Sequence, residues 1–553
     1  MTPSLFALLV AAALLAGCST SPSPHEHGSA PAPTAVTPPL FEDLGRYHRA
    51  ITTTSPRAQA YFDQGLRLVY GFNHYEAQAA FREAARLDPG CAMCAWGVAL
   101  TYGSNYNSPT DAERELGALT AVNQARTLAA VAATERERAL IAALATRHSA
   151  TPGADRAALD RAYADAMREV SRRYPDDLDA ATLLADALLN LRPWSLWTPE
   201  GAPQPGTEEI VVTLERVLAA NPMHPGANHL YIHAVEAGPD PRRAEAAADR
   251  LRGLMPGAGH MVHMPSHIYY RVGRYADAAL VNVQAVAADR AYFTRSRPSP
   301  IYRMMYYPHN LDFVWHAAAL EGRGAECLRA AREFAAAPAE VVPEMPDMET
   351  APAAPYFAMV RFGRWSEMLA EPAPSARMLY VTGAWRYARG LALLATGRRD
   401  EAAGELTQLR AVRQSVPPER TLAAFFKMSD MLGLAAEVLA GEIAARGGDA
   451  DTAVKHLAEA ARMQDEHWFT EPPPWYFPVR QALGAALLQA GRAPEAEAVY
   501  REDLRRNPEN GWSLFGLAQS LRAQGKGADA AAVDTRFRRA WARADVTLTA
   551  SRF

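Results

Sequence analysis

The 553-residue chain is 49% hydrophobic and 21% charged, enough apolar material for more than one ordinary core or for one long core built from stacked units. Its 57 basic and 61 acidic residues leave a net charge of −4, which argues against a surface made for nucleic acid or for electrostatic attachment to a membrane. Four cysteines are few for an exported chain of this size, so the core rather than disulfides must hold the fold.

Residues 1–17 carry an apolar stretch, Leu5 to Ala16, that is short for a membrane span and ends in small residues, as an export signal does. Leu15-Ala16-Gly17-Cys18 resembles the bacterial lipobox, in which the cysteine becomes the lipidated N-terminus. That resemblance implies a lipid anchor at Cys18 in the cell envelope. Ser19 after the cysteine implies the outer membrane, facing the periplasm. Residues 18–45, rich in Ser, Pro, Ala and Thr, are expected to form a flexible tether. Next along the chain, Cys91 and Cys94 form a C-x-x-C that suits a local disulfide; Ala95 in the following position excludes haem attachment.

From Ala58 onward the apolar residues recur at helical spacing, with no sustained alternation of the strand kind. The segment AYFDQGLRLVYGFNHYEAQAAFREAARLDP has a small residue at Gly65, a turn around Asn73, a small residue at Ala77 and a closing Pro89. It resembles the tetratricopeptide repeat, a pair of antiparallel helices recurring about every 34 residues. Gly273, Gly322, Gly397, Gly448, Gly491 and Gly525 all fall at the interhelical turn, repeat position 15, where positive φ is favoured. Five residues later, at the tight helix crossing, stand Ala278, Cys327, Ala402, Ala453, Ala496 and Ala530. The resemblance reaches to about Trp541 and implies an all-α superhelix (solenoid) of roughly ten helix pairs over residues 46–545. Insertions near 105–150 and 193–206 interrupt its period. The stretches around HMPSHIY and PHN are also similar to a bacterial subfamily of such repeats, a likeness that supplies no mechanism.

In tetratricopeptide superhelices, positions 2, 5, 9 and 12 of the first helix of each pair face the concave groove, where a peptide or other protein ligand binds. The register puts His229, His233 and Glu236 at positions 5, 9 and 12 of one unit. His260, His263 and His267 stand at 2, 5 and 9 of the next, and His309, Asp312 and His316 at 2, 5 and 9 of the one after. The two HxxxH pairs lie 34 residues apart, one full period. An i,i+4 pair puts two imidazoles on one helix face, and neutral imidazole with carboxylate suits a divalent transition metal such as Zn, Fe or Cu. The expectation is one ion shared by His229, His233, His263 and His267, with the shell completed from Glu236, His260, His309, Asp312 or His316. Asp186, at position 9 of an earlier unit, is a further candidate.

Single histidines in such a groove are ordinary peptide-contacting or hydrogen-bonded residues, and only the repetition of the pattern points to metal. HLYIH lacks the glutamate that serves as general base in zincins. Methionines 261, 264, 304 and 305 between the histidines suit helix packing better than copper ligation. There is no P-loop, no dinucleotide fingerprint and no nucleophile elbow. The expected activities are a metal-holding scaffold, a metalloenzyme using the same residues, or a metal-free interaction scaffold.

Overall fold

The computed structural model describes residues 37–552 apart from 340, 341, 343, 344, 424 and 468. Cys18 and the export signal lie outside the described residues. The chain divides into two compact units. The first takes the described residues up to Pro239 together with Gly253–Met261 and Arg290–Ser299; the second takes Asp240–Arg252, Val262–Asp289 and Pro300–Phe553.

The first unit is a run of helices that begins Pro56–Tyr70, His74–Leu87, Ala92–Tyr102 and Ala112–Ala129. Their starts are set by side chains that accept the first unpaired backbone N–H groups. Ser55, Asn73 and Asp111 cap in this way, and Thr134 with Glu137 forms a capping box at Glu135–Ala145. Close packing follows from small residues: an added Cβ at Gly65 or Gly97 would lie 2.6 or 2.4 Å from the buried Phe81 ring. The stretch near 105–150 holds the helices Ala112–Ala129 and Glu135–Ala145, while 193–206 is a loop ahead of Thr207–Ala220. Cys91 and Cys94 are disulfide-bonded.

The N-terminal strap differs from the composition-based expectation. Phe41 and Leu44, assigned to the tether, are buried, and the Phe41 N–H donates to Gln64 Oε1 at 2.7 Å. Two large apolar side chains within a Pro-rich segment help to dock it, a local signal that average composition hides.

In the second unit, helices alternate as pairs: Tyr307–Leu320 with Gly324–Ala336, Leu379–Ala395 with Arg399–Ser415, Met428–Arg446 with Ala450–Glu466, Arg480–Gln489 with Ala493–Arg506, and Gly511–Ala523 with Gly527–Ala540. The first helix of a pair also packs on the first helix of the next, as Leu379–Ala395 does on Met428–Arg446 and Arg480–Gln489 on Gly511–Ala523. This is the tetratricopeptide arrangement. Each glycine expected at the turn has φ between 73° and 84°, a region costly for residues with a Cβ. Each small residue expected at the crossing is at most 2% exposed, so Cys327 is a core residue. The only strands among the described residues, beyond isolated bridges, are the two-residue pair Thr421–Leu422 and Phe426–Lys427, which form an antiparallel hairpin.

Candidate metal centre

In the second unit, His263 closes the short helix Gly259–His263 and His267 lies in Pro265–Arg271. Pro265 has no N–H and interrupts the hydrogen-bond ladder there, but Met264 stays in the right-handed helical region, so the two histidines still stack one turn apart. A widened π-turn, with the Tyr307 N–H reaching Tyr302 O, leads into Tyr307–Leu320, where Pro308 again removes a donor. Asp289 fixes this entry, accepting from Tyr302 Oη and Asn310 Nδ2, each at 2.8 Å. Burial pushes its carboxyl up to about 7, against the two hydrogen bonds. Asn310 neighbours His309, which the entry thereby places beside His263.

The ligand atoms of His263, His267 and His309 all lie within 4.8 Å of one another. The tautomers follow from what stands behind the rings. Asn282 Nδ2 donates to Ala278 O at 2.7 Å, which orients the amide so that its Oδ1 meets His263 Nδ1 at 2.7 Å. The Nδ1 of His263 therefore carries the proton. His267 Nδ1 is paired with the buried Glu471 carboxylate, so it too is protonated. The two Nε2 atoms face each other at 2.8 Å, a separation that a shared proton or a metal ion between them accounts for. Phe313 backs the triad, its ring centroid 5.0–5.2 Å from those of all three imidazoles.

In the first unit, His229 and His233 lie on Pro225–Val235 and come together with His260, again with ligand atoms within 4.8 Å. Within its own unit, each HxxxH pair is thus joined by a third histidine. Position 2 of the next first helix supplies that third ligand. His229 Nδ1 meets the Tyr70 carbonyl at 2.5 Å and His233 Nδ1 meets Glu236 Oε1 at 2.9 Å. Glu236, expected as a possible ligand, is paired with the Nδ1 of His233.

Asp312 and His316 pair with each other along their helix, Nδ1 to Oδ1 at 3.1 Å, and Asp312 also accepts the Trp315 indole N–H at 2.7 Å. Neither joins a triad among the described residues. Asp186 lies with Tyr70, Phe72, His74 and Arg147 around a small internal void. Burial pushes its carboxyl up to about 6, with the Arg147 charge opposing. The histidines expected to line an open groove are buried: His229, His233, His260, His263 and His267 are each at most 3% exposed, and His309 is half-buried.

Sequence reasoning missed the groups behind the rings. The Tyr70 carbonyl is one that a helix end leaves over, and Asn282 and Glu471 are remote in sequence. Glu471 opens the E-P-P-P-W-Y run, whose sequence reads as a connection between repeats.

No family model matches the chain, and no curated protein sequence matches it. Among solved structures, it is similar to a human IFIT1 dimer with m7Gppp-AAAA, at 11% identity over 89% of this chain and 91% of that one, TM-score 0.29. It is also similar to yeast Tom70, at 12% over 88% and 91%, TM-score 0.28. The P58(IPK) TPR domain matches at 13% over 85% and 98%, TM-score 0.20. Scores that low bear on neither the curvature of the array nor its function.

Proposed function

We propose that the chain is a lipid-anchored helical-repeat protein of the bacterial cell envelope. Its second unit holds a divalent transition metal at His263, His267 and His309 and presents it to a peptide or small ligand. One observation carries the metal reading. Two imidazole nitrogens face each other at 2.8 Å while an oriented amide and a carboxylate hold the protons on the opposite nitrogens. Two nitrogens so placed need a cation between them, a shared proton or a metal ion, and the ligand atom of His309 within 4.8 Å of both favours the metal. Metal-binding histidines are held by the same kind of partner on their second nitrogen. Three neutral nitrogens suit Zn, Fe or Cu.

A metalloenzyme is the second reading. Three protein ligands are the usual count at catalytic zinc, where a further position takes water or substrate. The tether and anchor rest on the lipobox at Cys18.

Purified without an affinity tag from the membrane fraction, the protein is expected to carry a transition metal and to bear fatty acid on Cys18. A chelator should lower its melting temperature. Protein free of metal after purification and after incubation with Zn, Fe(II) and Cu(II) salts would leave the metal-free interaction scaffold. Equal fatty-acid labelling of wild type and Cys18→Ser would refute the anchor.

A further inference from the structure

We infer that the first unit holds a second transition-metal ion of its own, at His229, His233 and His260. The inference rests on the metal reading of the second unit and extends it by a rule of construction. In both units the position-5 histidine gives its Nδ1 proton to a neutral oxygen, the Tyr70 carbonyl for His229 and the Asn282 amide for His263. In both, the position-9 histidine has its Nδ1 on a carboxylate, Glu236 for His233 and Glu471 for His267. In both, position 2 of the following first helix brings the third imidazole to within 4.8 Å. The 34-residue offset between the HxxxH pairs therefore duplicates a site.

A phenylalanine completes the likeness. Phe72 lies 4.5, 5.8 and 5.7 Å from the rings of His229, His233 and His260, as Phe313 lies against the other triad. Phe72 occupies the interhelical turn where other repeats have glycine, at φ 56°. A bulky side chain in the left-handed region is strained, and such strain is kept where the ring is needed. Two more aromatic residues come from the segments that interrupt the repeat: Tyr106, 4.7 Å from the His233 ring, and Trp194, 6.2 Å from it and itself at φ 59°. The wall leaves three imidazoles together in apolar surroundings, a donor set that suits Zn(II), Co(II) or Cu(II).

The test is a Co(II) titration of the full-length, metal-stripped protein, followed by its visible absorption. Saturation is expected at two equivalents. Glu236→Gln removes one carboxylate without emptying a cavity and should weaken one equivalent by about 10- to 100-fold, leaving the other in place; Glu471→Gln should do the reverse. Saturation at one equivalent, indifferent to Glu236→Gln and weakened by Glu471→Gln, would overturn this inference and leave the second-unit site standing. No cobalt spectrum at all would overturn the metal reading and this inference with it. One equivalent sensitive only to Glu236→Gln would move the ion to the first unit and overturn the reading of the second.

Discussion

Replacing His263 and His267 together by alanine is expected to remove the second-unit ion and every stabilising effect that this ion has on melting. A ligand present at a thousand times its dissociation constant stabilises the folded state by about 4 kcal/mol, so the metal-loaded wild type should lose about that much when chelated. The double variant also loses buried side chains, and its melting temperature falls for that reason too. Metal content separates the effects, because a cavity alone does not change stoichiometry. His316→Ala serves as the control. His316 pairs with Asp312 within one helix, so this variant should keep its full metal. A double variant that retains wild-type metal content would show that the facing nitrogens hold something other than an ion.

The second large effect lies in the first unit, where a buried network docks the N-terminal strap. Asp179 accepts from Tyr47 Oη at 2.7 Å, Tyr70 Oη at 2.5 Å and Arg49 Nη1 at 2.8 Å, with His224 Nε2 at 3.3 Å. Burial alone would push the Asp179 carboxyl up; the His224 hydrogen bond and the Arg49 charge outweigh it and hold the group well below the usual carboxylate range. Asp179→Asn should cost about 3–5 kcal/mol at pH 7, as breaking a buried ion pair does. Because the folded-state pKa is lowered, this stability is fully present above the unfolded value of about 4. It is lost as pH falls below that value. The gap between wild type and variant in denaturant melts should therefore narrow from pH 5 toward pH 2. A gap below about 1 kcal/mol at pH 7, or one that widens in acid, would contradict the assignment. The network also reaches the histidine cluster of the first unit, since the Tyr70 hydroxyl donates to Asp179 and its carbonyl accepts from His229.

The fold was legible because two signals repeat: a glycine at six of the interhelical turns and a small residue five positions later. Their physical causes, positive φ and a close helix crossing, are local and survive divergence of everything between them. The meeting of the two imidazoles of each HxxxH pair was legible for the same reason, since 5 and 9 share one helix face. The third histidine beside each pair within its unit was not. Which neighbouring imidazole joins a pair depends on the Pro-broken segment at Met264 and the π-turn before His309, which carry no periodic signature. Glu471 was illegible for a different reason: its partner is 204 residues away, between His267 and Glu471 in sequence, and nothing in a proline-rich connection announces a buried carboxylate. Burial was also misjudged. Groove positions are solvent-facing in a regular array, but here Phe72, Tyr106, Trp194 and Phe313 close over the rings, and two of the four come from the segments that break the repeat.

If imidazole nitrogens oriented by the groups behind them bind a transition metal, X-ray absorption at the metal edge of the zinc-loaded protein should show it. The expected first shell holds nitrogen and oxygen only, at about 2.0–2.1 Å, with the outer-shell scattering of about three imidazoles per ion and loss of that signal in the His263→Ala, His267→Ala double variant for the second-unit share. A shell of oxygen alone without imidazole scattering, or one containing sulfur from the interleaved methionines, would contradict it.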